Sequence, residues 1–403
     1  MKPHPNRLPS RVVIVGAGVM GLSTAVFLAR EHGVLATVVE RDGRYTRASS
    51  ALSASSIRVQ FSQPVNIRLS RESFRLLAAL PDWLGPGAAG SAIDLVERGY
   101  LYLATGGGEA VLQSNAALQA TEGASVQLLD PAALTQRFPA LRTDDLALGS
   151  LGLSGEGWFD AWGLLQALRS AARAAGVVFV DAEVTQVLEK GGRVTGVRLR
   201  DGAEHSADTV VVAAGAWSAG VLESLGIAIP IRPRKRDVFV FDAAPALAGG
   251  PLVIDPSGLW FRPEGSPSAD GRSQRYLCGG PPRGEDLDEP PLEAIDHGLF
   301  EEVLWPALAH RVPAFEALRL RNAWAGYYEM NTEDHNALVG PWPGLEGLFL
   351  CCGFSGHGIQ QSPAVGRHLA NRLTRGEWLE PALAVLDPGR TLRGERVLER
   401  NVI

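Results

Sequence analysis

Three glycines, Gly16, Gly18 and Gly21, stand in the spacing G-x-G-x-x-G, and an acid, Glu40, closes the next apolar run. That pattern can hold a dinucleotide. Gly16 permits a tight turn, Gly18 lets the backbone approach a pyrophosphate, and Gly21 lets a helix pack on a strand. The helix N-terminus offers N–H groups and the positive end of its dipole to the anion. Glu40 can accept hydrogen bonds from a ribose diol. A plain βα turn can carry the same glycines, and the motif alone does not separate a nicotinamide from a flavin dinucleotide.

Two later segments bear on that choice. Residues 210–218, VVVAAGAWS, form an apolar run followed by Ala214 and Gly215. Small residues at a strand end let backbone come close to a flat or anionic ligand. Residues 348–366, LFLCCGFSGHGIQQSPAVG, alternate glycines with large residues before a helix near Gly358. Pro363 is expected in the first turn of that helix. A helix N-terminus aimed at a flavin stabilises negative charge on the pyrimidine edge of the reduced ring. Taken singly, each segment is also an ordinary strand with a glycine-rich connection.

The elements that must position these residues follow from pattern and punctuation. The first motif predicts a strand over 12–15, a helix over 20–30 ended near Gly33, and a strand over 35–39. Pro64 opens a helix to Leu80, and Pro81 stops it. A hairpin is expected over 93–104 around Arg98 and Gly99, and a helix over 107–121. Asp160 is placed to cap a helix through Ala175. Residues 177–213 read as an antiparallel meander with turns at 191–192 and 201–202, ending in a strand over 209–213. Residues 229–330 are richer in Pro, aromatics and charge, which suggests a second domain. Strands are expected there near 236–241, 259–262, 275–279 and 319–330, and a helix near 292–309. A strand over 348–352 and a helix carrying Val365, Leu369 and Leu373 follow.

Composition excludes several classes. The 403 residues are 46% hydrophobic and 20% charged, enough for two or three domains' worth of core. A net charge of −6 disfavours nucleic acid as a partner. The three cysteines, Cys278, Cys351 and Cys352, include two neighbours, so no disulfide framework is expected and a reducing compartment fits. The polar, Pro-rich start does not read as a signal peptide, and no run of about 18 apolar residues reads as a membrane span. Neither metal-ligand spacing, G-x-S-x-G nor a P-loop occurs. A soluble cytoplasmic enzyme, without metal, is the expectation.

The dinucleotide motif, VVVAAGAWS and GFSGHGIQQSPAVG occur in the order of the D-amino-acid oxidase superfamily. The chain resembles its sarcosine oxidase, glycine oxidase and dimethylglycine dehydrogenase branch. Residues 56–70, SIRVQFSQPVNIRLS, also resemble a flavoprotein subgroup that includes a mitochondrial assembly factor for respiratory complex I. Residues 325–341, AGYYEMNTEDHNALVGP, resemble the family's strand before its last FAD segment. The resemblance implies an α/β and α+β fold with two domains. A Rossmann-like FAD-binding domain would take residues 1–80, 150–220 and 325–387. A mixed-sheet substrate domain would take 81–149 and 221–324, and an Arg-rich surface tail 388–403. The implied reaction oxidises a C–H bond next to an amine nitrogen, giving an imine that hydrolyses.

The same resemblance assigns residues. Gly16, Gly18, Met20, Gly21 and Glu40 belong to the ADP-binding turn, and Arg41, Ser49, Ser56 and Val184 to segments that wrap the cofactor. Arg58 matches the arginine beside the flavin, Ala214 and Gly215 the mid-chain contact, and Gly356, Gly358, Ile359 and Gln360 the loop at the pyrimidine edge. Three departures stand out. Gly326 occupies the place of the cysteine that links the flavin in sarcosine oxidases, which predicts noncovalent FAD. Gln360 replaces a lysine that helps hold the substrate carboxylate. Phe61 replaces a second basic residue. Without those two cations a larger, less anionic or differently clamped amine is expected. Cys278 lies in the region of an oxygen-activating lysine, so the electron acceptor is either O2 or another oxidant.

Hydride transfer needs a neutral amine held in a dry pocket. Tyr328, Trp260 and Phe261 lie in segments the family uses to line that pocket, or are core aromatics. Arg58, Tyr328, His357, Gln360 and Trp260 form the candidate catalytic set. His357 can tune the flavin or the amine, or brace its loop, whereas His335 reads as a turn residue. The run Arg232, Arg234, Lys235 and Arg236 reads as a solvated crossover between domains in preference to a steering patch. Two other functions compete with amine oxidation: an assembly or binding factor with structural FAD, and a 2-hydroxy-acid oxidoreductase.

Overall fold

The first strand, Val12–Val15, is buried on both faces, as befits a central parallel strand. In the computed structural model, which describes residues 9–85 and 92–401, it lies inside a six-stranded sheet. The order is Leu338–Pro341, Leu348–Cys352, Thr209–Val212, Val12–Val15, Ala36–Glu40 and Val178–Asp181. All neighbours are parallel except the first pair. Helices Val19–His32, Ala161–Ala174 and Gly358–Arg375 cover one face, burying Ile14, Val38 and Val211 against Leu28, Leu168 and Val365. The expected meander, Val184–Glu189, Val194–Leu199 and Glu204–Ser206, packs Val187 and Val197 into the core on the other face.

An eight-stranded mixed sheet forms the second layer. Its order is Arg319–Asn331, Ile231–Ala243, Gln274–Gly279, Trp260–Glu264, Leu252–Ile254, Tyr100–Ala104, Leu148–Gly152 and Val126–Leu129. Only the pair Leu252–Ile254 with Tyr100–Ala104 is parallel. On one face Phe239, Phe241, Phe261, Phe300 and Phe315 make a second core. The other face looks toward the C-terminal ends of the parallel strands. Among the described residues no helix is long and apolar enough to cross a membrane.

Several expectations change. The two runs expected to form a hairpin over 93–104 join different sheets: Val96–Glu97 pairs with Gly157–Trp158, and Tyr100–Ala104 enters the large sheet. The helix from Pro64 ends at Ala78, and Pro81 lies in the first turn of a further short helix, Leu80–Leu84. A proline early in a turn lacks only an N–H that has no partner there. Asp160 precedes the helix Ala161–Ala174, but its side chain makes no cap bond. The helix expected near 292–309 starts at His297 and contains a π turn, Phe300–Leu304. Pro363 lies inside Gly358–Arg375, past the first turn. There the Ser362 hydroxyl donates to the Ile359 carbonyl at 3.0 Å, replacing the N–H that Pro363 lacks.

Two expected boundaries move as well. Arg319–Asn331 runs wholly within the large sheet, past residue 325, and Leu148–Gly152 belongs to it too. The tail after 387 is anchored in the core, not merely a surface segment, because Arg390 and Glu399 are buried. Arg390 donates to both oxygens of Asp334, at 3.1 and 3.2 Å.

Candidate active site

A cavity of about 1150 Å³ opens between the parallel strand ends and the large sheet. It exceeds the ~300–1,000 Å³ of ordinary small-molecule sites. At one end is the glycine turn. Gly16 has φ +105°, and a side chain there would collide with the Ala213 carbonyl. A Cβ at Gly21 would collide with the Gly16 carbonyl, so helix and turn touch directly. The helix that follows has no side-chain cap and no acid in its first turn. The Val19 N–H donates to the Ser50 hydroxyl at 3.2 Å, and with no acid set against its dipole such an end suits an anion.

Glu40 closes the turn. Its carboxylate accepts from the Ala17 N–H at 2.8 Å and the Asp42 N–H at 2.9 Å. Two oxygens carry about four acceptor sites, which leaves capacity for a diol. Gly18, Met20, Arg41, Ser49, Ser56, Val184, Ala214, Gly215, Gly356, Gly358 and Ile359 all line the same cavity. At Gly215, φ +56°, a Cβ would meet nothing within 4 Å, so backbone faces open space there. Arg41 lies 3.9 Å over the Trp217 ring at the rim. The Ser49 hydroxyl donates to the Tyr327 carbonyl at 2.6 Å, tying the wrapping segment to the large sheet. A helix end free of acids, an open backbone cradle and an acid at the second strand end fit FAD.

The other end holds the candidate catalytic residues. Arg58 is buried and has no carboxylate partner among the described residues; Nη1 donates to the Gln60 carbonyl at 2.9 Å and Nη2 to the Asn401 carbonyl. Its guanidinium stacks 3.8 Å over Phe61. Gln60 and the Arg58 segment are braced by Glu156, a buried carboxyl that accepts from the Val59 N–H at 2.7 Å and the Gln60 amide at 3.0 Å. The Gln360 Oε1 accepts from the Arg58 N–H at 2.8 Å. Tyr328 lines the cavity with its ring against Gly356, whose φ of +92° and missing side chain make that contact possible.

Two placements match one of the readings the sequence left open, and a third overturns one. His357 lies behind the loop, outside the cavity lining, between Phe61 and Phe354. Neither ring nitrogen has a hydrogen-bond partner among the described residues. Burial, then the Arg58 charge, lowers its pKa to about 3, so it stays neutral and packs as an aromatic brace. Phe261 points into the second core while Trp260 faces the cavity, because neighbours on a strand alternate. The basic run is not a solvated crossover. It lies in the strand Ile231–Ala243, and Arg236 lines the cavity, paired with both oxygens of Asp286 at 2.9 Å.

Sequence reasoning also missed cavity residues. Arg262 is buried against Trp158 and pairs with Glu264. Strand alternation from Trp260 would have found it. Tyr100, Leu252 and Ile254 form an apolar wall beside Trp260. Glu329 also lines the cavity; its Oε2 accepts from the Gly353 N–H at 3.0 Å. Burial raises its pKa to about 7. Its signal in the sequence was an acid inside the apolar and aromatic run of residues 323–330.

Residues 11–372 match the family described as FAD dependent oxidoreductase, DAO. The bovine (Bos taurus) protein named FAD-dependent oxidoreductase domain-containing protein 1 is 39% identical over 431 residues, covering 98% of this chain and 87% of that protein. Glycine oxidase of Geobacillus kaustophilus is 30% identical over 373 residues, covering 91% and 93%. Among solved structures, L-proline dehydrogenase from P. horikoshii has a TM-score of 0.82 at 26% identity, covering 96% of this chain and 99% of that one.

Proposed function

This chain belongs to the DAO family of FAD-dependent oxidoreductases, and we propose that it oxidises the C–N bond of a secondary or tertiary amine or an amino acid. The cofactor is FAD, held without a covalent link; Gly326 leaves no side chain at the family's linking position. FAD, when bound, supplies the acceptor for a hydride. The carbon gives up that hydride, the nitrogen lone pair forms C=N, and water hydrolyses the imine. O2 or another acceptor takes the electrons onward. The amine must be neutral, since a protonated nitrogen has no lone pair to give.

One observation carries the reading: the same cavity joins the dinucleotide turn to an apolar wall with a guanidinium, Arg58, that has no carboxylate partner among the described residues. Tyr100, Leu252, Ile254 and Trp260 exclude water and offer contact to an apolar substituent. Arg236 and Arg262 are neutralised by Asp286 and Glu264, which leaves Arg58 as the cation beside them without a carboxylate partner among the described residues. Arg58 and Tyr328 are thus the residues assigned to substrate contact, and Gln360 orients Arg58 through its backbone. The unpaired, buried cysteines support a reducing compartment such as the cytoplasm.

An anaerobic screen of the FAD-loaded protein tests this. Loss of flavin absorbance with amines or amino acids is the expected result. Bleaching by 2-hydroxy acids alone would overturn the amine assignment. No bleaching by either class would favour an assembly or binding factor with structural FAD. That reading has one supporting observation: Gln360 leaves no cation at the usual carboxylate anchor.

A further inference from the structure

Residues 397–401 lie beside residues 58–66 and close on Arg58. Glu399 is fully buried, yet only neutral groups hold its carboxylate. It accepts from the Ser62 N–H at 2.9 Å, the Ser62 hydroxyl at 2.6 Å, the Asn66 amide at 2.9 Å and the Asn401 N–H at 2.9 Å. A buried carboxylate without a cation persists only where hydrogen bonds replace its water. Four such bonds do so here, and one of them fixes Asn401. The Asn401 carbonyl then accepts from Arg58 Nη2, and its side-chain amide donates to the Gln60 carbonyl at 3.0 Å. That same Gln60 carbonyl accepts from Arg58 Nη1. Upstream, the Val397 N–H donates at 3.0 Å to Asp334, the acid that pairs with buried Arg390.

We propose that residues 399–401 are a strap that positions Arg58, with Glu399 as its anchor. Neither Glu399 nor Asn401 lines the cavity, so the strap acts on the reaction through the guanidinium alone. The inference rests on the assignment of Arg58 to the cavity end of the site. An arginine has many rotamers, and two backbone carbonyls plus the Phe61 ring select one of them. Removing the strap takes away one carbonyl and frees the side chain to turn. The positive charge then moves relative to FAD and substrate, and a displacement of about 1 Å at a reacting centre can slow a reaction ~100-fold.

The test uses the full-length, FAD-loaded protein, a variant ending after Leu398, Glu399→Gln, Arg58→Met, and Arg58→Met in each altered background. Three quantities are read: the rate of anaerobic bleaching at saturating amine, the reduction potential of the bound flavin, and the FAD dissociation constant. The shortened protein is expected to bleach ~10-fold or more slowly, at a lower potential, with FAD affinity changed less than about threefold. Glu399→Gln should move the same way by less. Arg58→Met should add nothing further once the strap is gone, because residues in one network are non-additive. Losses that multiply equally in both backgrounds would overturn the strap. So would a shortened protein with unchanged rate and potential. If the shortened chain fails to fold, the Glu399→Gln cycle with Arg58→Met decides alone. An Arg58→Met variant with unchanged rate and potential would instead defeat the placement of Arg58, a distinct failure. Potential and affinity are measurable even if no amine bleaches the protein.

Discussion

Replacing Glu329 by glutamine should stabilise the protein at alkaline pH and leave it nearly unchanged in acid. The carboxyl is half-buried on the cavity wall, accepts from the loop N–H groups of Gly353 and Phe354, and has no cation paired with it among the described residues. Its titratable neighbours, Cys351 and Cys352, are themselves held neutral by burial. Burial moves its pKa from 4.5 to about 7. For an acid raised in this way, the folded state holds a proton that the unfolded state has released. Stability is therefore unaffected below about pH 4.5, falls as pH rises toward 7, and stays reduced above it. A shift of that size corresponds to ~3 kcal/mol. The amide keeps one acceptor and leaves one loop N–H less well paired, which offsets about 1 kcal/mol. The net gain at pH 8 is then ~2 kcal/mol. With an unfolding entropy of about 2.1 cal/mol/K per residue over 403 residues, that raises the melting temperature by about 2–3 °C. The assay is a thermal scan with FAD saturating at both pH 5 and pH 8, comparing variant and parent. Equal shifts at both pH values, or destabilisation at pH 8, would refute the reasoning.

Gly16→Ala combines a positive φ with a collision at the Ala213 carbonyl, so it should cost ~2 kcal/mol or more and weaken FAD binding about 30-fold, read by fluorescence titration. Asp130 and Asp160 both precede helices, but only Asp130 caps, accepting from the Ala133 N–H at 2.8 Å. Asp130→Ala should lower the urea-unfolding free energy by ~1 kcal/mol and Asp160→Ala by less than ~0.5. Trp260→Ala removes most of the apolar wall's ring surface and should raise KM ~10-fold or more for amines with large apolar substituents, with little change for small ones; equal effects on both would place the substrate elsewhere.

The parallel layer was legible because its signals are local. The glycines at 16, 18 and 21 and the acid at 40 stand in one short strand–turn–helix–strand unit, where Gly21 meets the Gly16 carbonyl and Glu40 the Ala17 N–H. The large sheet was only partly legible. Its strands over 231–243 and 319–331 were visible as runs, but pairing joins residues far apart, and nothing local says that Tyr100–Ala104 pairs with Leu252–Ile254 in parallel. The tail was misjudged for a related reason. Arg390 and Glu399 look solvated by type, and only partners some 56 and 337 residues away bury them. His357 was placed by its loop, yet orientation within a loop is decided by packing: the flanking glycines take the cavity and the ring takes the space beside Phe61.

The departures from the family pattern are coupled around Arg58. Taken singly, Gln360 and Phe61 are lost cations. In the fold, the Phe61 ring lies under the Arg58 guanidinium and the Gln360 carbonyl oxygen holds the Arg58 backbone. A lysine or arginine at either place would set a like charge beside a buried cation that has no carboxylate to balance it, which is costly in a low-dielectric site. Arg236 and Arg262 avoid that cost only because each brings its own acid. The end of the cavity beside the apolar wall thus keeps its uncompensated charge, among the described residues, at one guanidinium instead of distributing it over a clamp. A substrate suited to such a site carries at most one negative group near Arg58 and presents apolar surface to Tyr100, Leu252, Ile254 and Trp260. Introducing Gln360→Lys should therefore weaken FAD-loaded stability before it improves binding of any small anionic amino acid.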